Sequence, residues 1–157
     1  GTSKQVVAKL SVGGFRKAET AFKAVIGMKE SKSIHTNFKD FLHAHAVVHK
    51  ANALKCLGDA AYDEEKYGEA IGFLKAASTS SKKVTRPKDK NSPLYAYKED
   101  IATVQSIIHH KAELYVQQND NIFGKKEVPE TDVDIPDGTV MVKPTPFAVP
   151  KASFRSI

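Results

Sequence analysis

Residues 54–77 read LKCLGDAAYDEEKYGEAIGFLKAA, and this stretch decides the fold. Two helical patterns flank a short acidic turn, and small residues, Gly58 and Ala70, fall where the two helices would face each other. Leu57 and Leu74 are the large apolar residues that fill the space between such helices. The stretch therefore predicts a closely packed, antiparallel pair of helices.

The spacing within this pair resembles the tetratricopeptide pattern, with Leu in place of Trp and Ala in place of Tyr. Only one such unit is visible, and a single repeat cannot bury both of its faces. Neighbouring helices must complete the stack. We therefore predict an all-α fold, a tetratricopeptide-like helical solenoid.

Further helical patterns flank the pair on both sides. Upstream, apolar residues recur at intervals of three and four residues in two long stretches, and downstream Ser92-Pro93 is a helix start. The serine hydroxyl accepts an otherwise unpaired backbone N–H, and proline suits the first helical position, which needs no donor. The predicted helices cover residues about 3–28, 34–61, 66–83 and 92–118, within a single unit that spans residues 1–157.

The apolar residues of these patterns predict which faces point inward. In the first helix the pattern extends to Ile26, and Gly13 and Gly14 interrupt it; each glycine destabilises a helix by about 1 kcal/mol relative to Ala, which favours a kink. In the second helix we expect Phe38 and Leu54 to face the core. The most regular pattern is that of the fourth helix: Leu94, Tyr97, Ile101, Val104, Ile108, Ala112 and Tyr115.

The character of the sequence changes after Gln118. Five of the seven prolines follow this residue, and proline fixes an extended backbone. The same segment is too apolar to remain in water, since it contains Val133, Ile135, Phe147 and Val149. We predict that no helix lies beyond residue 118 and that residues 119–157 form an extended, proline-rich C-terminal arm packed on the helices.

The composition restricts the compartment of the protein. Cys56 is the single cysteine, which excludes a disulfide framework and a cysteine-ligated zinc site. No apolar run approaches the roughly 20 residues that cross a bilayer, and the N-terminal residues lack the apolar segment of a signal peptide. We expect a cytoplasmic protein with peripheral membrane association only.

The formal net charge is +6, but 18 acidic residues dilute the 24 basic ones along the chain. Only Lys82–Lys90 concentrates the basic residues, and it lacks the aromatic side chains on which nucleic-acid bases stack. We interpret this stretch as a solvated loop between helices and expect no nucleic-acid partner. Binding of nucleic acid or anionic lipid through the loop is the last of the alternatives.

The sequence contains no recognisable catalytic, cofactor or metal site. His45 and His49 lie four residues apart on one helical face, but Ala46 occupies the place of the glutamate that zinc proteases require, and no third ligand is evident. Cys56 lies within a helical pattern without a base to activate it, and a phosphate-binding loop is absent. We predict a non-enzymatic protein with no cofactor and no metal.

Several segments resemble one known family in order and spacing. They are KYGEAIGFLKAA (66–77), NDNIF (119–123) with the Val-Pro pair that follows, and MVKPTPFAVP (141–150). Together they resemble the C-terminal half of the Bro-one domain, the family of Alix-type and Brox-like proteins. Upstream, VVAKL (6–10) is similar to the family helix that carries the binding patch for ESCRT-III, so the resemblance covers nearly the whole chain.

The resemblance implies a curved, tetratricopeptide-like helical domain with its C-terminal arm wrapped back on the helices. It also implies docking as the activity: an apolar patch receives the C-terminal amphipathic helix of an ESCRT-III subunit and recruits the protein peripherally to endosomes. Matching residue by residue assigns Val6 and Leu10 to this patch. Because they are four residues apart, both lie on one face of a helix.

The chain also departs from the family pattern. The family tyrosine that serves as a kinase target corresponds to Phe123, which has no hydroxyl to phosphorylate. The family domain is about twice as long, so we expect the chain to be a fragment or a divergent short form. As a fragment it should expose apolar surface and self-associate.

A different function remains open at this point. The helices could form a generic tetratricopeptide-like scaffold for another peptide partner, such as a peptide with a free C-terminus. Lys4, Lys9 and Arg16 would then hold the terminal carboxylate of that peptide.

Overall fold

A computed structural model of the chain describes residues 3–84, 87, 89–140, 146 and 148. These residues form helices, turns and extended segments and contain no β-strand, which confirms the predicted all-α class. The helices are α1 (Lys4–Gly27), α2 (Thr36–Asp63), α3 (Tyr67–Ser81), α4 (Pro93–Ala96) and α5 (Lys98–Gln118), with a 3-10 turn over Lys29–Ser33 between α1 and α2.

The long helix α2 lies between α1 and α3, and α3 also packs against α5. Consecutive long helices run antiparallel. Lys4 at the start of α1 contacts Asp63 at the end of α2, with 2.7 Å between Nζ and Oδ1. The Gln105 side chain donates to the carbonyl of Ser81 at the end of α3 over 2.8 Å.

The predicted close approach of α2 and α3 is present at Gly58. A Cβ atom on this residue would lie 2.0 Å from Cδ2 of Leu74 and 3.2 Å from the carbonyl oxygen of Ala70. Both Leu74 and Ala70 are fully buried. The helix pair therefore depends on small residues at the crossing, as its sequence predicts.

The turn between α2 and α3 closes in a Schellman motif. The N–H of Lys66 donates to the Ala61 carbonyl over 2.9 Å, and the N–H of Glu65 donates to the Tyr62 carbonyl over 3.0 Å. Glu65 occupies the left-handed position of this motif with φ of 62°. That conformation costs a residue other than glycine about 1–2 kcal/mol.

The main core combines side chains from α1, α2, α3 and α5. Removing one large apolar side chain of this core from water contributes about 1.5–3 kcal/mol. A smaller cluster joins Ala44 of α2 to Val84 and Ile101. Among the residues that the structure describes, the largest fully buried side chains are Val12, Phe15, Ile71, Leu74 and Ile108.

Two predicted core positions face solvent instead. Phe38 is 46% exposed and Ile26 is 48% exposed. The buried residues of α2 begin only at Ala44, and the last buried residue of α1 is Phe15. The end of the α1–α2 hairpin thus extends beyond the core, and Ile26 and Phe38 stay largely exposed there.

The helix α1 is continuous through Gly13 and Gly14, as the single helix predicted for residues 3–28 requires. Two local predictions need correction. The predicted fourth helix is divided at Tyr97, which separates α4 from α5 and is 41% exposed. Helical structure also continues past residue 118 in a π-helical turn, Asn119–Phe123.

Hydrogen bonds of Asn119 and a ring contact of Phe123 stabilise the π-helical turn. The Asn119 side chain is buried and bonds the backbone of Lys125 twice, accepting from its N–H over 3.0 Å and donating to its carbonyl over 2.8 Å. The Phe123 ring stacks on Tyr67, with centroids 3.6 Å apart. Gly124, at φ of 59°, then ends the winding.

Residues 124–140 of the predicted arm are non-helical and run over α3 and α1. The N–H of Val128 donates to the Gly68 carbonyl over 3.0 Å, and the N–H of Thr139 donates to the Lys9 carbonyl over 3.1 Å. The predicted arm residues Phe147 and Val149 lie outside the described residues.

Candidate partner-binding surface

The first turn of α1 is held in place by a helix cap and by side-chain contacts to the end of α2. Ser3 caps the helix, since its hydroxyl accepts the N–H of Val6 over 3.3 Å. Lys4 and Gln5 then reach the C-terminal end of α2 through Asp63, at 2.7 Å, and Glu64, at 3.4 Å. The hydrogen bond to Asp63 raises the pKa of Lys4. These exposed contacts orient the helix but each stabilise it by at most about 1 kcal/mol.

The two residues assigned to the patch differ in their exposure. Val6 is 42% exposed and its neighbour Val7 is 40% exposed, whereas Leu10 is half-buried. The core side of the same helix is formed by Ala8 and Val12, which are buried. Val6 and Leu10 therefore lie next to each other, one turn apart, on the side of α1 that faces away from its core residues.

The exposed face of α1 carries a second stripe of small and apolar residues, interrupted by Lys17, that was not among the predictions from sequence. Its members recur at alternating steps of three and four residues, which is the spacing of the core positions in a coiled coil. All of them are exposed except the half-buried Leu10. This stripe, which we call the outward seam, consists of Val7, Leu10, Gly14, Lys17, Ala21 and Ala24.

The signal for the outward seam was present in the sequence. The helix has one apolar stripe through Val12 and Phe15, which is buried, and another through Leu10 and Gly14, which is not. A prediction that assigns one buried face to each helix does not distinguish the two stripes. The residues in the centre of the seam are small. If Gly14 carried a Cβ atom, no heavy atom of another part of the chain would lie within 4 Å of it.

The C-terminal arm borders this surface. The carbonyl oxygen of Thr139 lies beside Gly13, and a Cβ atom there would be 2.1 Å away from that oxygen. Gly13 immediately precedes Gly14 of the outward seam. The seam is thus bounded by the arm at the level of these glycines and is open to solvent at Val6 and Val7.

The described residues offer little to a catalytic site. Within residues 3–84, 87, 89–140, 146 and 148, no three His, Cys, Asp or Glu side chains converge to hold a metal ion. Cys56 is buried, and its Sγ lies 3.5 Å from the Ser11 hydroxyl. No helix in this part of the chain is long and apolar enough to span a bilayer.

An all-α scaffold with an exposed, coiled-coil-like helix face defines a protein-interaction module. The family model described as BRO1-like domain matches residues 1–156, so the chain belongs to the BRO1-like domain family. This confirms the family that the sequence motifs indicate. No curated protein and no solved structure matches the chain.

Membership gives the surface a general context. BRO1-like domains are interaction modules of ESCRT-related endosomal sorting, and the family binds ESCRT-III.

Proposed function

We propose that the chain docks the C-terminal amphipathic helix of an ESCRT-III subunit along the outward seam of α1, as a cytoplasmic protein recruited peripherally to endosomes. The observation that carries this proposal is the heptad spacing of an exposed helix face. Amphipathic helices bind in apolar grooves through residues at steps of three, four and seven, and the outward seam offers the complementary spacing.

The sizes of the residues along the seam support a helical partner. Gly14, Ala21 and Ala24 are exposed and small, so a second helix can approach α1 within the 8–10 Å that packed helices adopt. Val6, Val7 and Leu10 provide a larger apolar cluster at one end. A partner helix would anchor there and lie along the small residues.

The charges beside the seam favour an acidic partner. Lys17 is an exposed member of the seam and Lys9 is exposed one residue before Leu10, whereas Glu19 is the one acidic residue of α1. Such a rim selects partners and accelerates association more than it adds affinity. A helix with an apolar stripe and acidic flanks fits this arrangement.

The alternative, a generic scaffold that holds a peptide carboxylate, has less support. Lys4 already pairs with Asp63 at 2.7 Å, and Arg16 lies 3.7 Å from Glu19. The cleft beside Lys9, about 300 Å³ in volume, is lined by carboxylates that would repel a terminal carboxylate: Glu64, Glu69 and Asp134.

The experiment is a titration of labelled C-terminal helices from each ESCRT-III subunit with the chain, beside unrelated acidic peptides of equal charge. Ala21→Glu places bulk and negative charge in the centre of the seam and should weaken binding. Ala96→Glu is the matched control, because Ala96 is exposed on α4. Binding that is equal for all acidic peptides, or unchanged by Ala21→Glu, would refute docking on the seam.

A further inference from the structure

His45 and His49 converge on one point beside α2. Their Nε2 atoms are 3.1 Å apart, and their rings are nearly perpendicular, with centroids 4.4 Å apart. His45 is exposed and His49 is half-buried. The pair is therefore accessible from solvent, and its two Nε2 atoms lie next to each other.

The distance between the two nitrogens is close to the one that a shared metal ion requires. Imidazole nitrogens lie about 2.0–2.1 Å from Zn²⁺, so two of them at the tetrahedral angle are separated by about 3.3–3.4 Å, and a small rotation of either ring would open the observed 3.1 Å to that value. Two histidines four residues apart on a helix are also the pair of ligands used by helical zinc sites.

The surroundings of the pair suit a cation. The histidines line a cleft of about 160 Å³ between α2 and the α4–α5 segment. Phe41 stacks on His45, with ring centroids 5.8 Å apart and an angle of 19°, which restrains that ring. Asp100 is the one charged side chain among the other residues that line the cleft, and its carboxylate would offset the charge of a bound ion.

The sequence alone led us to expect no metal, but from the contact between the two rings we propose that His45 and His49 form a binding site for a divalent late first-row transition ion, with Zn²⁺, Ni²⁺ and Cu²⁺ as the class. Imidazole is a preferred ligand of all three ions. No third ligand converges among the described residues, so the protein supplies two ligands and leaves positions open. Water or a donor atom of a bound partner completes the coordination, and Asp100 acts from outside it.

The site does not depend on the proposed docking along the outward seam. The seam lies on α1, whereas the histidine pair faces α4 and α5. Either property can fail without the other.

The test is isothermal titration of the full chain with zinc chloride, and separately with nickel chloride, in a non-chelating buffer near neutral pH. We expect one ion per chain. Replacing a residue that merely orients a ligand costs about 10–100-fold in affinity, so His45→Gln and His49→Gln should each weaken binding at least about tenfold. Asp100→Asn should weaken it less.

The controls are other histidines of the same chain. Nε2 of His109 lies 3.4 Å from Oε1 of Glu113, and both side chains are exposed. This pair is the competing weak site that the control must exclude. His109→Gln and His110→Gln should leave the affinity unchanged. Circular dichroism establishes that each variant is folded, and because His45 is exposed its replacement should not disturb the core. Absence of binding, binding that survives both His45→Gln and His49→Gln, or an equal loss in His109→Gln would overturn the proposal.

Discussion

The carbonyl oxygen of Thr139 lies so close to Gly13 that a Cβ atom on Gly13 would come within 2.1 Å of it. The N–H of Thr139 donates to the Lys9 carbonyl one turn earlier, over 3.1 Å. Gly138 is equally confined, since its Cβ would lie 2.2 Å from the Gly13 nitrogen. The backbones of α1 and the arm thus touch directly, with no space for a side chain between them.

This contact predicts opposite effects for two neighbouring glycines. Gly13→Ala should lower the free energy of unfolding by about 1–3 kcal/mol, because the new methyl group displaces the arm. Gly14→Ala should raise it by about 0.5–1 kcal/mol, because the position is open and Ala favours the helix. Urea unfolding of both variants measures the difference. Equal shifts would contradict the observed contact.

The arm itself should stabilise the helices. Val133 and Ile135 are half-buried and pack against the main core, and Glu127 and Glu130 bond Lys75 and Thr79 of α3. Deleting residues 128–157 should therefore lower the free energy of unfolding by at least about 2 kcal/mol, chiefly through lost apolar burial. Thermal and urea denaturation test this, and an unchanged melting temperature would show that the arm is only a tail.

A double variant tests the apolar contacts of the arm without shortening the chain. Val133→Ser and Ile135→Ser, combined, should reproduce a large part of the destabilisation. Val140→Ser is the matched control, because Val140 is 51% exposed, and it should have little effect. An equal effect of the control would indicate that the arm does not pack as described.

The local elements of the fold were predictable where short-range physics decides them. Ser92 accepts the N–H of Leu94 over 3.3 Å with Pro93 in the first helical position, and Gly58 lies where α2 and α3 cross. Capping and close packing leave clear residue preferences in a sequence. Such signals predict where helices begin and which pairs approach closely.

The parts that sequence reasoning missed depend on distant neighbours. Whether Phe38 is buried depends on how α1 and α4 pack beside α2, and in the folded chain Phe38 remains 46% exposed. The π-helical turn depends on Asn119 meeting Lys125 and on Phe123 meeting Tyr67. The outward seam was hidden because α1 carries two apolar stripes, and only packing determines which of them is buried.

A polar network inside the bundle predicts a response to alkaline pH. The Tyr115 hydroxyl donates to Asp59 over 2.7 Å, and Lys111 bonds the same carboxylate at 2.8 Å. Burial, and then the hydrogen bond to Asp59, raises the pKa of Tyr115 far above its ordinary value. This group therefore stabilises the fold fully below the unfolded pKa of about 10, and the stabilisation is lost as pH rises above it.

Tyr115→Phe tests this network. Near neutral pH the variant should lose about 1.5–3 kcal/mol, because a hydrogen bond to a charged group is removed. Above pH of about 10 its stability should fall less steeply than that of the unmodified chain, since no buried phenol remains to ionise at this position. Urea midpoints across the alkaline range give the two slopes. Identical slopes would mean that Tyr115 titrates as an ordinary tyrosine.

The last prediction concerns the residues assigned to the partner-binding patch. Val6→Asp should leave the fold intact, because Val6 is 42% exposed, and should weaken binding of an ESCRT-III C-terminal helix. The loss should reach about 2 kcal/mol, or about thirtyfold in affinity, because a few large apolar anchors carry most of the energy of a small interface.

Leu10→Asp should weaken binding at least as much, with some cost in stability, since Leu10 is half-buried. Lys9→Asp should weaken binding less, because charges at the rim of an interface contribute little. Ile107→Asp is the second control: Ile107 is 48% exposed on α5, so this variant places a charge on an exposed apolar residue away from the seam. If Leu10→Asp unfolds the chain, Leu10 belongs to the core and Val6→Asp alone decides the matter. If folded Val6→Asp binds the helix as well as the unmodified chain does, docking at this end of the seam is wrong.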